Sequence, residues 1–260
     1  MPPVWCISSI MWTATALASE TYPARGCIWR VVEHQYTAST RKLVGTFAEQ
    51  AVLESLLETG KPPYPPHTEH LHYLLKTPFR YYPPYPHGSR FRRAGLSEGV
   101  FYAALEKRTA MAEMAYFRLR FFMDAPDFSP PTQEHKLTAF VVYYQTEREI
   151  NLQRAPLNRD HHLWTNPTDY SDTQQLADEA RKSGIEAIRY LSLRDPEAGS
   201  NLALLSFSAF MGNEPESQQT WYMHFSAAEV LATRASPMAQ QEQFLFQREH
   251  LAPVDGAVPV

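Results

Sequence analysis

The sequence predicts a single domain of the α+β class with a mixed β-sheet core. The chain has 260 residues, of which 44% are apolar, and this size and composition suit one packed domain. No internal repeat or low-complexity linker divides it. Many short strand-like segments occur with only about three helical segments, and the two kinds do not alternate strictly. This pattern is typical of α+β proteins rather than of α/β proteins.

The first predicted elements precede and surround a proline-rich region. Residues 27–32 are β-branched and aromatic and predict the first strand. Residues 43–57 predict an amphipathic helix that ends at Gly60. Residues 77–88 predict an extended loop, because each proline keeps the residue before it out of the helical region. The apolar residues that fall near one face of this helix are Leu43, Val44, Phe47, Ala51 and Leu57.

From residue 100 onward the pattern is more regular. Residues 100–104 predict a short buried strand, and Lys107–Met123 predict a helix. Residues 137–144 carry the strongest strand pattern in the chain. Ser171–Lys182 predict a helix that Gly184 terminates. Further strands are predicted at residues 186–192, 202–208 and 220–225, with an edge strand at residues 241–247.

Both ends of the chain are expected to lie outside the domain. Residues 1–26 are interpreted as a poorly determined leader, residues 27–248 as the domain, and residues 249–260 as a C-terminal tail. The apolar beginning of the leader has neither a basic first region nor a clear cleavage site, so it does not match a secretory signal peptide.

Composition and charge exclude several classes of protein. The chain has 24 basic and 28 acidic residues, so direct nucleic-acid binding is not predicted. No apolar run reaches the roughly 18 residues of a membrane-spanning helix. Cys6 and Cys27 are too few for a disulfide scaffold or a cysteine-rich zinc site, and a reducing cytoplasm is the expected compartment. Neither GxGxxG nor GxxxxGK[ST] occurs, which excludes the standard glycine-rich phosphate loops.

Two charged residues lie inside apolar segments. Glu113 belongs to the string AMAEMAY at residues 110–116, where a carboxylate requires either a partner or a chemical task. Arg30 lies in the same way inside the first predicted strand. Structural ion pairs and functional roles explain these two residues equally well.

Other polar residues that could take part in binding or catalysis occur in a predicted loop, within a predicted strand and at the end of another. Arg90 lies in the loop at residues 88–95, and arginine side chains there suit a phosphate or a carboxylate, although a solvated surface cluster is the simpler alternative. Tyr102 lies within a strand, where a core tyrosine is the simpler interpretation. Ser192 ends a strand without the GxSxG motif of a hydrolase. The histidines at 67, 70 and 72 match no standard metal spacing, so no metal site is predicted.

Five short segments occur in a characteristic order along the chain. They are Cys27-Ile-Trp-Arg30, Gly88-Ser-Arg-Phe91, Phe101-Tyr-Ala-Ala104, Ala110-Met-Ala-Glu113 and Arg189-Tyr-Leu-Ser-Leu-Arg-Asp195. Together they resemble the RES-domain family, the toxin half of bacterial RES–Xre toxin–antitoxin pairs. The chain departs from the family pattern at Ser89 and Arg92, where the family often has Gly and Asn. It also carries an apparent insertion at about residues 37–87, which includes Arg80.

The resemblance implies a fold similar to ADP-ribosyltransferase toxins and NAD⁺ as the substrate. The bond between nicotinamide and ribose would be cleaved with inorganic phosphate or a protein as the acceptor, and an Xre-type helix-turn-helix antitoxin would be the partner. Glu113 would bind the ribose and its developing positive charge, Arg90 the pyrophosphate or phosphate, and Arg30 would be a second anion contact. Tyr102 would contact the nicotinamide, and Ser192 the amide or the ribose. A non-catalytic interaction module is the alternative, favoured if Arg90, Glu113 and Ser192 lie far apart.

Overall fold

One eight-stranded β-sheet forms the centre of the computed structural model, which describes residues 12–34, 40, 43–81, 88–95, 98–123, 133–235 and 242–251. The strands are β1 (Tyr22–Glu33), β2 (Phe101–Ala104), β3 (His135–Asn151), β4 (Ala187–Leu191), β5 (Ser200–Leu204), β6 (Ser217–Phe225), β7 (Glu229–Arg234) and β8 (Gln243–Gln247). The helices are α1 (Ala14–Ser19), α2 (Phe47–Thr59), α3 (Tyr73–Arg80), α4 (Lys107–Met123), α5 (His161–Trp164), α6 (Ser171–Lys182) and α7 (Arg248–Leu251).

The sheet is mixed and partly closed. The strand order is β1-β2-β5-β4-β3-β6-β7-β8, and β1 also pairs with β3. Strands β1, β2, β5, β4 and β3 therefore form a closed circuit, from which β6, β7 and β8 extend. The pair β3–β4 is parallel, whereas the other pairs are antiparallel. The predicted α+β class, single domain and mixed β-sheet core are confirmed.

Helix α4 packs against β1 and β2 and presents two different faces. Met111, Ala115 and Leu119, spaced four residues apart, are buried on one face. The opposite face carries residues three or four positions apart that line a cavity: Ala110, Glu113, Met114, Phe117 and Arg120. The helix thus connects the hydrophobic core to the candidate site.

The predicted helix at residues 43–57 forms, but its apolar side chains are not buried. Helix α2 forms largely within the predicted range, but none of its residues is buried, and Phe47 is 78% exposed. Thr46 and Glu49 stabilise its first turn through a capping box of reciprocal hydrogen bonds. The periodic pattern predicts the helix itself, whereas burial also requires a partner surface, which the described residues do not provide here.

The prediction of an extended loop at residues 77–88 is wrong for its first part. Helix α3 continues to Arg80, with Pro78 inside it. Phe79 is buried against the sheet cluster, and this tertiary packing outweighs the local conformational preference that a proline imposes. Residues 82–87 lie outside the described residues.

Arg80 connects α3 to the C-terminal end of α2. Its Nη1 donates to Oε1 of Glu58 at 2.5 Å, and its Nε donates to the carbonyl oxygen of Pro62. Its guanidinium lies 4.2 Å from the centre of the Tyr64 ring. These contacts give Arg80 a structural role within the segment that the resemblance treats as an insertion.

Two strands in the C-terminal part of the chain differ from the prediction. Strand β5 ends at Leu204 rather than at residue 208, because a 3₁₀ turn over Phe207–Ala209 follows it. Strand β7 is not predicted from its sequence, yet it pairs with β6 on one side and β8 on the other. The predicted edge strand is confirmed as β8, at the end of the strand order.

The described residues near both ends of the chain are part of the fold. Residues 12–26, assigned above to the leader, include α1, whose Leu17 is fully buried, and the beginning of β1 at Tyr22. The first residues of the expected tail form part of α7, and Leu251 is buried. Residues 1–11 and 252–260 lie outside the described ranges.

Candidate active site

A cavity of about 540 Å³ opens between α4, strands β1 and β2, and the loop that begins at Gly88. Its described lining contains a single acidic side chain, Glu113, and a larger number of cations and aromatic rings. The five lining arginines are Arg30, Arg90, Arg92, Arg120 and Arg194. A concave site with one carboxylate among several guanidinium groups suits a ligand with several negative charges.

The structure brings the residues singled out from the sequence to one place. Arg30, Arg90, Tyr102 and Glu113 line the cavity, although they belong to four different segments. Ser192 lies directly behind the wall and contacts Glu113. The separation of Arg90, Glu113 and Ser192 that would have favoured a non-catalytic module is not observed.

Glu113 is held by two hydrogen-bond donors on one oxygen. Its Oε1 accepts from Oγ of Ser192 at 2.7 Å and from Nδ2 of Asn201 at 2.6 Å. Ser192 and Asn201 are each only 3% exposed, so these bonds form away from bulk water. Both donors contact the same oxygen, and a carboxylate has a second oxygen that also accepts hydrogen bonds. The arrangement leaves Oε2 of Glu113 for a ligand.

The orientation of the Ser192 hydroxyl is set by backbone N–H groups of the residues that follow it in the chain. Its Oγ accepts from the backbone N–H groups of Arg194 at 3.2 Å and Asp195 at 3.1 Å. Because a hydroxyl has one hydrogen and two acceptor lone pairs, the two N–H groups direct that hydrogen toward Glu113. The family resemblance implies that Ser192 contacts the substrate amide or ribose, whereas here its hydrogen is donated to Glu113.

The loop that carries Ser192 is fastened to the first turn of α4. Oδ2 of the buried Asp195 accepts from the hydroxyl of Thr109 at 2.7 Å. Gly199 passes so close to this pair that an added Cβ would lie 2.0 Å from Oγ1 of Thr109. Thr109 precedes Glu113 by one helical turn, so this contact fixes the helix and the loop relative to each other.

A tight turn in the arginine loop positions the ring of Tyr102. Gly88 has φ +72°, and an added Cβ would lie 2.3 Å from the carbonyl oxygen of Arg92. The turn brings Oγ of Ser89 within 3.0 Å of the Tyr102 hydroxyl, which also accepts from the backbone N–H of Phe91 at 3.0 Å. The first position of the Gly-x-Arg-Phe segment therefore requires glycine, because a Cβ there would clash with the backbone of the same turn.

Arg90 is supported from behind by backbone carbonyls. Its Nη1 donates to the carbonyl oxygen of Trp164 at 2.6 Å and its Nη2 to that of Asn166 at 3.2 Å. Its guanidinium also lies 4.8 Å from the centre of the Tyr170 ring. A guanidinium carries five N–H donors, so Arg90 retains donors for an anion in the cavity.

Arg30 is a cation without a carboxylate partner among the described residues. Its Nη1 donates to the carbonyl oxygen of Tyr102, its guanidinium lies 5.1 Å from the centre of the Phe101 ring, and its Nε has no hydrogen-bond partner there. Burial, and then the nearby positive charge of Arg92, lower the pKa of Arg30 to about 10. An anion bound between the two guanidinium groups would relieve this repulsion.

Sequence reasoning missed two residues of the site. Asn201, on β5, supplies the second donor to Glu113, and the signal for it is a polar side chain inside the apolar strand SNLAL. Tyr190, on β4, lines the cavity, and burial together with the negative charge of Glu113 raises its pKa well above the usual value. Both lie in strands, where the pattern gives no information about which side chain contacts a distant helix.

The described residues contain no cluster of three or more His, Cys, Asp and Glu side chains that could hold a metal ion. One of the histidines considered above, His72, instead caps α3, with its Nδ1 accepting from the backbone N–H of Leu74 at 3.2 Å. None of the helices built by the described residues has the length and apolar content that crossing a bilayer requires.

Comparison with protein families identifies the family of this chain. A family model described as the RES domain matches residues 64–226. The matched range contains Arg90, Tyr102, Glu113 and Ser192, whereas Arg30 on β1 precedes it. No curated protein matches the chain.

Proposed function

Because the chain belongs to the RES-domain family, we propose that it consumes NAD⁺ by cleaving the bond between nicotinamide and ribose, with inorganic phosphate as the acceptor. The protein would then act as an NAD⁺ phosphorylase and as the toxin of a toxin–antitoxin pair. A relationship to the fold of ADP-ribosyltransferase toxins, taken from the family resemblance, is part of the same proposal.

The observation that carries the proposal is the position of Glu113 among the arginines of one cavity. NAD⁺ has a pyrophosphate, which guanidinium groups bind through charge-assisted hydrogen bonds. Cleavage of its glycosidic bond develops positive charge on the ribose, and a preorganised carboxylate stabilises that charge. Glu113 is preorganised in this sense, because Ser192 and Asn201 both hold its Oε1.

The reaction balances without a further reagent. A phosphate oxygen forms a bond to C1′ of the nicotinamide ribose, and the bond from C1′ to the ring nitrogen breaks. The electron pair of that bond stays on the nitrogen, so the pyridinium leaves as neutral nicotinamide. The proton of the hydrogen phosphate is released to solvent, and the second product is ADP-ribose 1″-phosphate.

The described contacts suggest a role for each residue of the site. Arg90, braced by two carbonyls, would bind the pyrophosphate or the incoming phosphate, and Arg30 would be a second anion contact. Tyr102, with its hydroxyl held by the Gly88 turn, would contact the nicotinamide. Ser192 would be a positioning residue that orients Glu113.

The decisive experiment incubates the purified chain with NAD⁺, with and without inorganic phosphate, and identifies the products by mass spectrometry. Nicotinamide and ADP-ribose 1″-phosphate that form only with phosphate would support the phosphorylase. ADP-ribose that forms equally in both samples would indicate hydrolysis. A mass gain on a lysate protein would indicate ADP-ribosyl transfer, and no turnover by the folded protein would indicate a binding module.

We propose an Xre-type helix-turn-helix antitoxin as the partner that blocks this activity. The proposal follows from the family, and the exposed apolar side chains of α4 beside the cavity are compatible with a covering protein. Co-purification of the two proteins, with loss of NAD⁺ turnover in the complex, is the expected result. An Xre protein that binds without lowering turnover would contradict it.

A further inference from the structure

We infer that Phe117 forms a subsite for the adenine base at the mouth of the cavity, where its ring stacks on the base of the bound dinucleotide. The inference rests on the proposed function for the identity of the ligand. It assigns to Phe117 a task that is separate from the chemistry at Glu113.

Phe117 differs from the other aromatic residues of the cavity in the access to its ring. The described lining includes five aromatic side chains, and four of them are buried or already covered by a cation. Tyr190 is buried, and cationic groups lie 4.6 Å from the centre of the Trp29 ring, 4.8 Å from that of Tyr170 and 5.7 Å from that of Tyr102. Phe117 is 62% exposed, and its one described ring contact is an edge contact with Tyr116.

The position of Phe117 relative to Glu113 selects the adenine rather than the nicotinamide. Both residues lie on the cavity face of α4, one turn or about 6 Å apart along the helix axis. Glu113 is hydrogen-bonded to the buried Ser192 and Asn201, whereas Phe117 is largely exposed to solvent. The reacting bond would lie at Glu113, and the adenine is the part of the dinucleotide farthest from that bond. The outermost ring of the site would therefore meet the base.

Base stacking is the chemistry that an open phenylalanine ring provides. An exposed aromatic ring retains apolar surface in contact with water, and a purine placed on it removes that surface. Stacking of a base on an aromatic side chain typically changes affinity by roughly 5- to 150-fold. A one-sided contact at an open cavity mouth belongs near the lower limit of this range, or roughly a tenfold change in affinity.

The same helix provides a matched control. Phe121 follows Phe117 by one turn and is exposed to a similar extent, at 65%, but it does not line the cavity. Replacing either ring removes exposed apolar surface, so the two alanine variants have similar effects on folding. A difference in ligand affinity between the two variants can therefore be attributed to the subsite at Phe117.

The test measures, by calorimetry, the binding of adenosine 5′-monophosphate and of ribose 5-phosphate to wild type, Phe117→Ala, Phe117→Trp and Phe121→Ala, together with the KM for NAD⁺. We expect Phe117→Ala to lower the affinity for the nucleotide roughly tenfold, to leave that for ribose 5-phosphate unchanged, and to raise the KM for NAD⁺. Phe117→Trp should retain nucleotide binding, and Phe121→Ala should match wild type.

Equal losses for both ligands, or equal effects of the two alanine variants, would overturn the subsite. If wild type turns over NAD⁺ but Phe117→Ala leaves the nucleotide affinity unchanged, the subsite is wrong and the proposed function stands. If wild type has no NAD⁺ turnover, the proposed function fails, and the calorimetry still decides whether Phe117 binds the adenine nucleotide.

Discussion

Oγ of Ser192 donates a 2.7 Å hydrogen bond to Oε1 of Glu113, between residues that are 79 positions apart in the chain. The bond connects the end of β4 to the middle of α4, across the wall of the arginine-lined cavity. Because the backbone N–H groups of Arg194 and Asp195 occupy the acceptor side of the hydroxyl, the serine acts on the carboxylate as a donor.

Replacement of Glu113 by glutamine should abolish NAD⁺ turnover while the fold is retained. The variant keeps the shape of the side chain and an oxygen that accepts from Ser192, but it loses the negative charge that opposes the developing charge on the ribose. We expect a loss of at least roughly 100-fold in kcat, measured by nicotinamide release. An unchanged kcat in a variant with wild-type circular dichroism would remove Glu113 from the mechanism.

The variant Ser192→Ala should lower kcat more than it raises the KM for NAD⁺. Glu113 loses one of its two donors and becomes less well oriented, whereas the arginines that bind the ligand are unaffected. The variant also leaves two buried N–H groups unpaired, each of which costs about 1–3 kcal/mol in the free energy of unfolding. Steady-state kinetics and urea unfolding measure the two effects, and a rise in KM alone would indicate that Ser192 contacts the substrate instead.

Thr109→Val should loosen the loop that carries Ser192. Valine has nearly the shape of threonine but no hydroxyl, so the buried Oδ2 of Asp195 loses a 2.7 Å hydrogen bond. We expect the free energy of unfolding to fall by about 1–3 kcal/mol and kcat to fall with it. Thr109→Ser keeps the hydroxyl, so its free energy of unfolding and its kcat should be close to those of wild type. Equal kinetics in the two variants would mean that this hydrogen bond does not influence catalysis.

Gly88→Ala should reduce activity strongly, because the residue has φ +72° and its Cβ would lie 2.3 Å from the carbonyl oxygen of Arg92. The turn must then open, and both Ser89 and the Tyr102 hydroxyl that it contacts shift. We expect at least a roughly tenfold loss in kcat/KM. Gly212→Ala is the matched control, since a Cβ there meets only an atom 3.9 Å away, and it should behave like wild type.

Removal of the Arg30 charge should stabilise the ligand-free protein and weaken anion binding. The pKa of Arg30 is about 10 in the folded state, below its value in the unfolded chain, so burial of the charged form opposes folding at neutral pH. We expect Arg30→Met to raise Tm and to lower the affinity for inorganic phosphate.

The sign of the pH dependence provides a second check on Arg30. Above about pH 10, and up to the higher pKa of an arginine in the unfolded chain, the folded protein binds fewer protons at this residue than the unfolded chain does. The stability of wild type relative to Arg30→Met should therefore increase with pH across that window, as urea unfolding of both proteins would show. A lower Tm for the variant at neutral pH would mean that the bond from Arg30 to the carbonyl oxygen of Tyr102 outweighs the cost of the charge.

Helices could be predicted where apolar residues recur with a helical spacing along the sequence. The range Lys107–Met123 is helical as predicted, and Met111, Ala115 and Leu119, spaced four residues apart, are buried on one face of it. The pattern at residues 43–57 has the same kind of periodicity and also forms a helix, yet α2 buries none of its residues. Periodicity specifies the conformation of a segment and a possible contact face, but not the presence of a partner surface.

The α+β class, the family and the unusual charged residues inside apolar segments, such as Arg30 and Glu113, can be recognised from the amino-acid sequence alone. These follow from composition, order and local spacing, which short-range physics controls. The hydrogen bonds that Asn201 and Ser192 donate to Oε1 of Glu113 are apparent only in the folded chain. Such contacts join residues on separate strands and helices, and they are set by the pairing of β5 with β2 and β4 and by the packing of α4, which no local pattern encodes.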